Sequence, residues 1–76
     1  MDNLTSSQIL DDYDELIVLL NIGVFEGEHT ASGVARTIYD LEKLKAQGLP
    51  INEYVISDDG LFLDAVIDNT PYLFLL

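Results

Sequence analysis

The chain has 76 residues, no Cys, and 14 Asp or Glu against 3 Lys or Arg, for a formal net charge of −11. That length makes one small domain burying about 60 to 65% of its unfolded surface, and without Cys or any Cys/His zinc spacing it has neither disulfide nor structural zinc to help it. A hydrophobic content of 49% is too high for a disordered acidic tail, while the deficit of Lys and Arg argues against direct binding to nucleic acid or anionic lipid, both of which need cations on phosphate.

The opening MDNLTSSQ has no basic or apolar leader character, and LIVLLNIGVF at residues 16 to 25 is about half of a membrane span, so a cytoplasmic chain is expected. Thr5 and Gln8 have the spacing of a capping box, with Leu4 and Ile9 spaced as a hydrophobic staple. Ile9, Tyr13, Leu16 and Leu20 then share one helical face, widened by Leu10 and Ile17. Past Leu16 the pattern conflicts with itself, because Val18, Leu19 and Ile22 rotate onto the side of Asp11 and Glu15. The first helix is therefore expected to end near Leu20 or Asn21, the alternatives being a second half buried on all sides or a strand over LIVLL. NIGVFEGEHT, with Gly23 and Gly27, reads as a connection.

A second helix is predicted from about 31 to 47. Val34, Ile38 and Leu41 form its apolar stripe, widened by Ala31, Ala35 and Leu44. Thr30 stands at the N-cap, Lys43 and Lys45 in the last turn, Gly48 at C′, and Pro50 forbids continuation. Three short runs follow, INEYVIS, LFLDAVI and YLFLL, separated by DDG and DNTP. They predict a three-stranded antiparallel meander, with DDG as a three-residue hairpin loop and Asn69-Thr70-Pro71 as the second turn; a short helix over 59 to 67 is the alternative. The expected fold class is α+β, two helices packed on one face of a small three-stranded antiparallel sheet.

Charge placement is more informative than charge size. Residues 1 to 30 hold seven acids and no Lys or Arg, residues 46 to 76 hold five acids and again no base, and Arg36, Lys43 and Lys45 all lie in the second helix. Asp11, Asp12, Asp14 and Glu15 are the leading candidates for partner binding, followed by Asp58 and Asp59; Glu26, Glu28, Glu53, Asp64 and Asp68 extend the same charge. Carboxylates one helical turn apart lie roughly 6 Å from each other, and phosphates along each DNA strand recur every 3.4 Å or so, so a rigid acidic face can imitate a nucleic-acid backbone. The expected partner is a basic protein surface.

Other chemistry is poorly supported by the residues. Neither DDYDELIVLLNI nor DDGLFLDAVIDN has the ligand spacing of a calcium loop, Gly23 and Gly27 lack the GK[ST] ending of a phosphate loop, and His29, the single histidine, has no nucleophile or carboxylate in a catalytic spacing. No metal, cofactor or enzymatic activity is expected. YLFLL is apolar on both alternating faces, which makes Tyr72, Leu73 and Phe74 candidates for self-association, with a homodimer as one outcome.

SGVARTIYDLEKLKAQG followed by YVISDDGLFL resembles the recognition helix and β-wing of winged-helix DNA-binding domains over residues 32 to 63. The wing tip carries Asp58 and Asp59 where phosphate contacts want Lys or Arg, so direct operator binding is not expected. In size and charge the chain also resembles small phage-encoded inhibitors of restriction or CRISPR complexes. The expected function is thus a non-enzymatic acidic inhibitor that blocks a basic groove. The alternative is a dimeric hydrophobic or regulatory module, winged-helix-derived, whose acids serve solubility.

Overall fold

The structure, a computed structural model, describes the backbone of residues 6 to 76 and the side chains of residues 12 to 76. The capping box of Thr5 and Gln8, the staple of Leu4 and Ile9, and the side chain of Asp11 lie outside the described residues. Two helices, α1 (Ser6–Phe25) and α2 (Ala31–Ala46), precede three strands, β1 (Ile51–Ile56), β2 (Phe62–Ile67) and β3 (Thr70–Leu75). The strands form one antiparallel sheet in the order β1-β2-β3, so the fold is the expected α+β arrangement with helices first. Among the described residues no helix is long and apolar enough to cross a membrane.

Helix α1 runs several residues beyond the expected stop near Leu20, and residues 59 to 67 are strand and loop rather than helix. The apolar conflict past Leu16 is resolved by exposure: Val18, Leu19, Ile22 and Phe25 stay in solvent while Tyr13, Leu16 and Leu20 are fully buried. The helix stops at Gly27, which has φ +82. Gly27 N–H donates to the Val24 carbonyl at 3.0 Å and Glu28 N–H to the Gly23 carbonyl at 2.7 Å, the paired bonds of a Schellman cap. The same motif closes α2 at Gly48, through Gly48 N–H to Lys45 O at 2.9 Å and Leu49 N–H to Leu44 O at 3.3 Å. At the other end of α2, Thr30 caps as expected, its hydroxyl accepting from Gly33 N–H at 2.9 Å.

The strand connections differ in detail from expectation. The β2–β3 turn is two residues, Asp68 and Asn69, with φ 51 and 63, a type I′ turn of the kind that Asp and Asn tolerate. Thr70 and Pro71 therefore belong to β3 and not to the turn. Pro71 faces Val66 in the pair next to the hydrogen-bonded closing pair Ile67–Thr70, so its missing N–H would have pointed away from β2. The β1–β2 loop is one residue longer than DDG: Ser57 N–H donates to Phe62 O at 2.9 Å, leaving Asp58 to Leu61 in the loop. The Leu61 carbonyl accepts from Leu76 N–H at 2.8 Å, one rung beyond Phe62–Leu75 in the β2–β3 register.

One face of the sheet meets the helices. Leu63, Ala65 and Ile67 of β2, with Phe74 of β3, join Leu16, Leu20, Val34 and Leu41 in the core. Leu76 seals one end: its oxygen accepts from the Thr30 N–H at 3.2 Å and the Thr30 hydroxyl at 3.1 Å, and a Cβ on Gly33 would sit 2.7 Å from the Leu76 carbonyl carbon. Thr37, buried within α2, bonds back to Gly33 O at 2.9 Å and also reaches Leu75 O.

Candidate functional site

The first turns of α1 carry the leading candidates. With Tyr13, Leu16 and Leu20 turned into the core, helical periodicity sends Asp12 and Glu15 to the side facing β1 and Asp14 to the side facing α2. Asp14 accepts from Lys45 Nζ at 2.9 Å, the one ion pair among the described residues. Asp12 and Glu15 act on Tyr54 of β1, whose hydroxyl is pushed above its ordinary value by burial first, and then by the Glu15 and Asp12 charges. Asp11 precedes them on the helix, its side chain outside the described residues.

A second acidic group lies at the far end of α1. His29 is buried rather than a loose loop residue: its Nδ1 lies 2.7 Å from the Gly60 carbonyl, which requires a proton on that nitrogen, and its ring fills the space over Gly23. The contact joins the α1–α2 connection to the β1–β2 loop, with Gly60 close against the Glu28 carbonyl. Glu26 and Glu28 thereby share one end of the molecule with Asp58 and Asp59. Asp59 is committed to its own loop. It accepts from the Ser57 hydroxyl at 2.6 Å and from Leu61 N–H at 3.0 Å, and these bonds, Ser57 first, hold its carboxyl below the usual range.

The sequence leads to an expectation of one continuous acidic patch; the structure has two poles. Asp12 and Glu26 are fourteen positions apart, about 21 Å along the helix axis at 1.5 Å per residue. Between them the outward side of α1 is apolar, with Val18 and Ile22 about half exposed and Phe25 92% exposed. Asp68, in the β2–β3 turn, adds its charge to the Asp12 pole, close enough to act on Tyr13. Among the described residues no group of three His, Cys, Asp or Glu stands together as metal ligands would.

Tyr13 anchors the first pole from within. Its side chain is fully buried and its hydroxyl donates to Leu49 O at 2.8 Å. Burial above all, with smaller contributions from Tyr72 and Asp68, pushes its pKa up to about 12. The folded state thus holds this proton more tightly than the unfolded chain, whose tyrosine titrates near 10; the associated stability is complete below pH 10 and is lost as pH rises from there toward 12. Tyr13→Phe is expected to cost about 1 kcal/mol at neutral pH, for the lost hydrogen bond, and to flatten the alkaline fall in melting temperature measured from pH 9 to 11.

The self-association candidates divide by strand alternation. Phe74 is 8% exposed and faces the helices, and Tyr72 stacks on it with ring centroids 6.0 Å apart. These two residues are core and core edge, so neither is available as an outward contact. Leu73 faces outward, 62% exposed, beside Leu75 at 67%, a residue that the sequence did not single out. Together with Val55 and Phe62 they make the outer face of the sheet apolar and open. The signal was present in the alternation of FLDAVI, but its meaning depends on which strand is central. The winged-helix likeness reduces to α2 and the β1–β2 hairpin, since residues 26 to 30 between α1 and α2 contain no helix. No family model, curated protein or solved structure matches the chain.

Proposed function

We propose that this protein is a non-enzymatic acidic binding protein that occupies a basic groove on a nucleic-acid-binding protein partner, competing with nucleic acid by imitating its charge. The observation that supports this most is the state of the carboxylates at the two poles of α1. Asp12, Glu15, Glu26, Glu28 and Asp58 have no cation partner among the described residues, whereas a surface built only for solubility intersperses both signs. Rigid helix and turn backbones hold these charges at a set separation, which suits charge-assisted hydrogen bonds to Arg and Lys, and the field of the whole domain speeds encounter. A phage-type inhibitor of the anti-CRISPR or anti-restriction class, acting in the cytoplasm, fits this chemistry.

The test begins with capture from lysate at low salt, elution by a salt step and identification of the captured protein. Its affinity for the chain is then titrated against salt and against its own nucleic acid. Affinity is expected to fall on the order of tenfold or more between about 50 and 200 mM salt, with nucleic acid and the chain excluding one another. Reversal of Asp11, Asp12 and Glu15 to Lys is expected to abolish the exclusion without unfolding the domain. A flat salt dependence, or simultaneous binding of chain and nucleic acid, refutes the mechanism. The open apolar face of the sheet favours a second reading, an interaction module whose main contact is hydrophobic, with the acids keeping it soluble.

A further inference from the structure

We infer that the outer face of the sheet is a docking surface for a protein partner that presents an apolar patch and seats one Lys or Arg side chain against Asp64. This surface is distinct from the acidic poles of α1, and it stands whether or not those poles fill a basic groove.

The strand register defines the face. Across the three strands Val55, Asp64 and Leu73 lie in one row and Glu53, Val66 and Pro71 in the next, while Phe62 lies opposite Leu75. The helices pack on the opposite face, through Leu63, Ala65, Ile67 and Phe74. What remains outside is apolar except for two carboxylates. Val55, Leu73 and Leu75 are each more than 60% exposed, an unusual density of solvent-facing aliphatic surface for so small a chain.

Charge selects the occupant. Asp64 stands on the central strand, with Val55 and Leu73 on either side of it and Phe62 and Val66 before and after it, so any apolar surface laid on this face encloses its carboxylate. An enclosed carboxylate is tolerated only with a cation or strong donors beside it. A second copy of the chain supplies neither in a face-to-face dimer. Lys43 and Lys45 are on α2 away from this face, Arg36 stands at the β3 edge in a hollow with Leu73 and Leu75 and not over the central strand that carries Asp64, and each copy would bring another Asp64 and Glu53.

Shape agrees with charge. A shallow hollow of about 220 Å³ opens on this face between Glu53, Val55, Asp64, Val66 and Pro71, over the backbone of Ala65. A Lys or Arg side chain lying there would rest its methylene stem on Val66 and Pro71 and carry its charge to Asp64 and Glu53. The partner is therefore a protein surface with an aliphatic or aromatic patch and one central basic residue.

The test uses a display library of three-helix miniproteins with one randomised face, selected on the whole chain and counter-selected on Leu73→Asn. Leu75→Asn serves as a second counter-selection, and melting curves confirm that both variants fold. Selected binders are expected to carry apolar side chains around a single Lys or Arg, to lose at least tenfold in affinity on Asp64→Asn, and to bind Asp12→Lys/Glu15→Lys unchanged. Failure of that last result alone would show that the binders use the α1 pole, which overturns this assignment while leaving the charge-mimic function standing. Binders lacking a basic residue, binders indifferent to Asp64→Asn, or a failure to recover any that depend on Leu73 or Leu75 would also overturn it. So would sedimentation showing a dimer of the unmodified chain that dissociates on Leu73→Asn, since the occupant would then be a second copy.

Discussion

Gly23→Ala is expected to destabilise the domain by roughly 2 to 4 kcal/mol, although alanine in a helix interior ordinarily stabilises by nearly 1 kcal/mol relative to glycine. The sign inverts because of what packs on that position. A Cβ at Gly23 would lie 2.1 Å from His29 Cδ2 and 2.3 Å from Nε2, far inside contact distance. The imidazole must then move, and moving it breaks the bond between Nδ1 and the Gly60 carbonyl at 2.7 Å. Overpacking costs about 1 to 3 kcal/mol and an orphaned buried polar group about as much again. In a domain of this size the loss amounts to a fall of about 10 to 25 °C in melting temperature. A double-mutant cycle makes the cause explicit: with His29→Ala in place the ring is gone, and Gly23→Ala should add little further loss. A full, additive penalty in that background would show that His29 is not what excludes the methyl group.

Phe74→Asp is expected to leave the chain unfolded, while its neighbour Leu73→Asp should cost less than about 1 kcal/mol. The two residues are adjacent in sequence and opposite in environment, Phe74 at 8% exposure within the core and Leu73 at 62% on the outer face. Phe74→Asp removes a ring stacked on Tyr72 and enforces either a buried carboxylate or a cavity. Together these cost about 5 kcal/mol or more, a large part of the stability that a small domain possesses. Leu73→Asp meets the Asp64 carboxylate across the strand pair, a like-charge contact of a few tenths to 1 kcal/mol, with Arg36 lining the hollow beside it. Far-UV circular dichroism and thermal melts of the two variants read this directly. Equal destabilisation would mean that β3 is not registered on β2 as described.

This contrast also shows how far the sequence could be read. Helix α2 was legible at both ends because its boundaries are written in local chemistry, the Thr30 hydroxyl on Gly33 N–H and the positive φ of Gly48 ahead of Pro50. The end of α1 is not legible from periodicity, because Val18, Leu19 and Ile22 carry no sign that they are left exposed. The chain leaves them exposed, and a cap at Gly27 stops the helix instead. Pro71 signals a turn in the sequence, yet on an edge strand, at a site where no N–H is needed, proline is compatible with the ladder.

The candidate site was less legible than the fold for a related reason. Helical spacing identifies which carboxylates share a side of α1, but whether they join those of the loops depends on tertiary contacts. His29 to Gly60 draws Glu28 toward Asp58 and away from Asp12. Asp59 is indistinguishable in the sequence from a partner-facing acid, but the loop uses its carboxylate locally through Ser57 and Leu61. The outer face of the sheet could be recognised only once β2 was known to be central, since alternation within a strand does not say which set of side chains the helices will cover.

The clamp of Thr30 on the Leu76 oxygen spans 46 positions of sequence, and it ties the entrance of α2 to the far end of β3. A helical hairpin of α1 and α2 can form from neighbouring segments while the rest of the chain is still being synthesised, but the start of α2 acquires these partners only when β3 has emerged and docked. Capping of α2 is thereby coupled to the docking of β3, and a cut in the meander would leave the start of α2 without these acceptors.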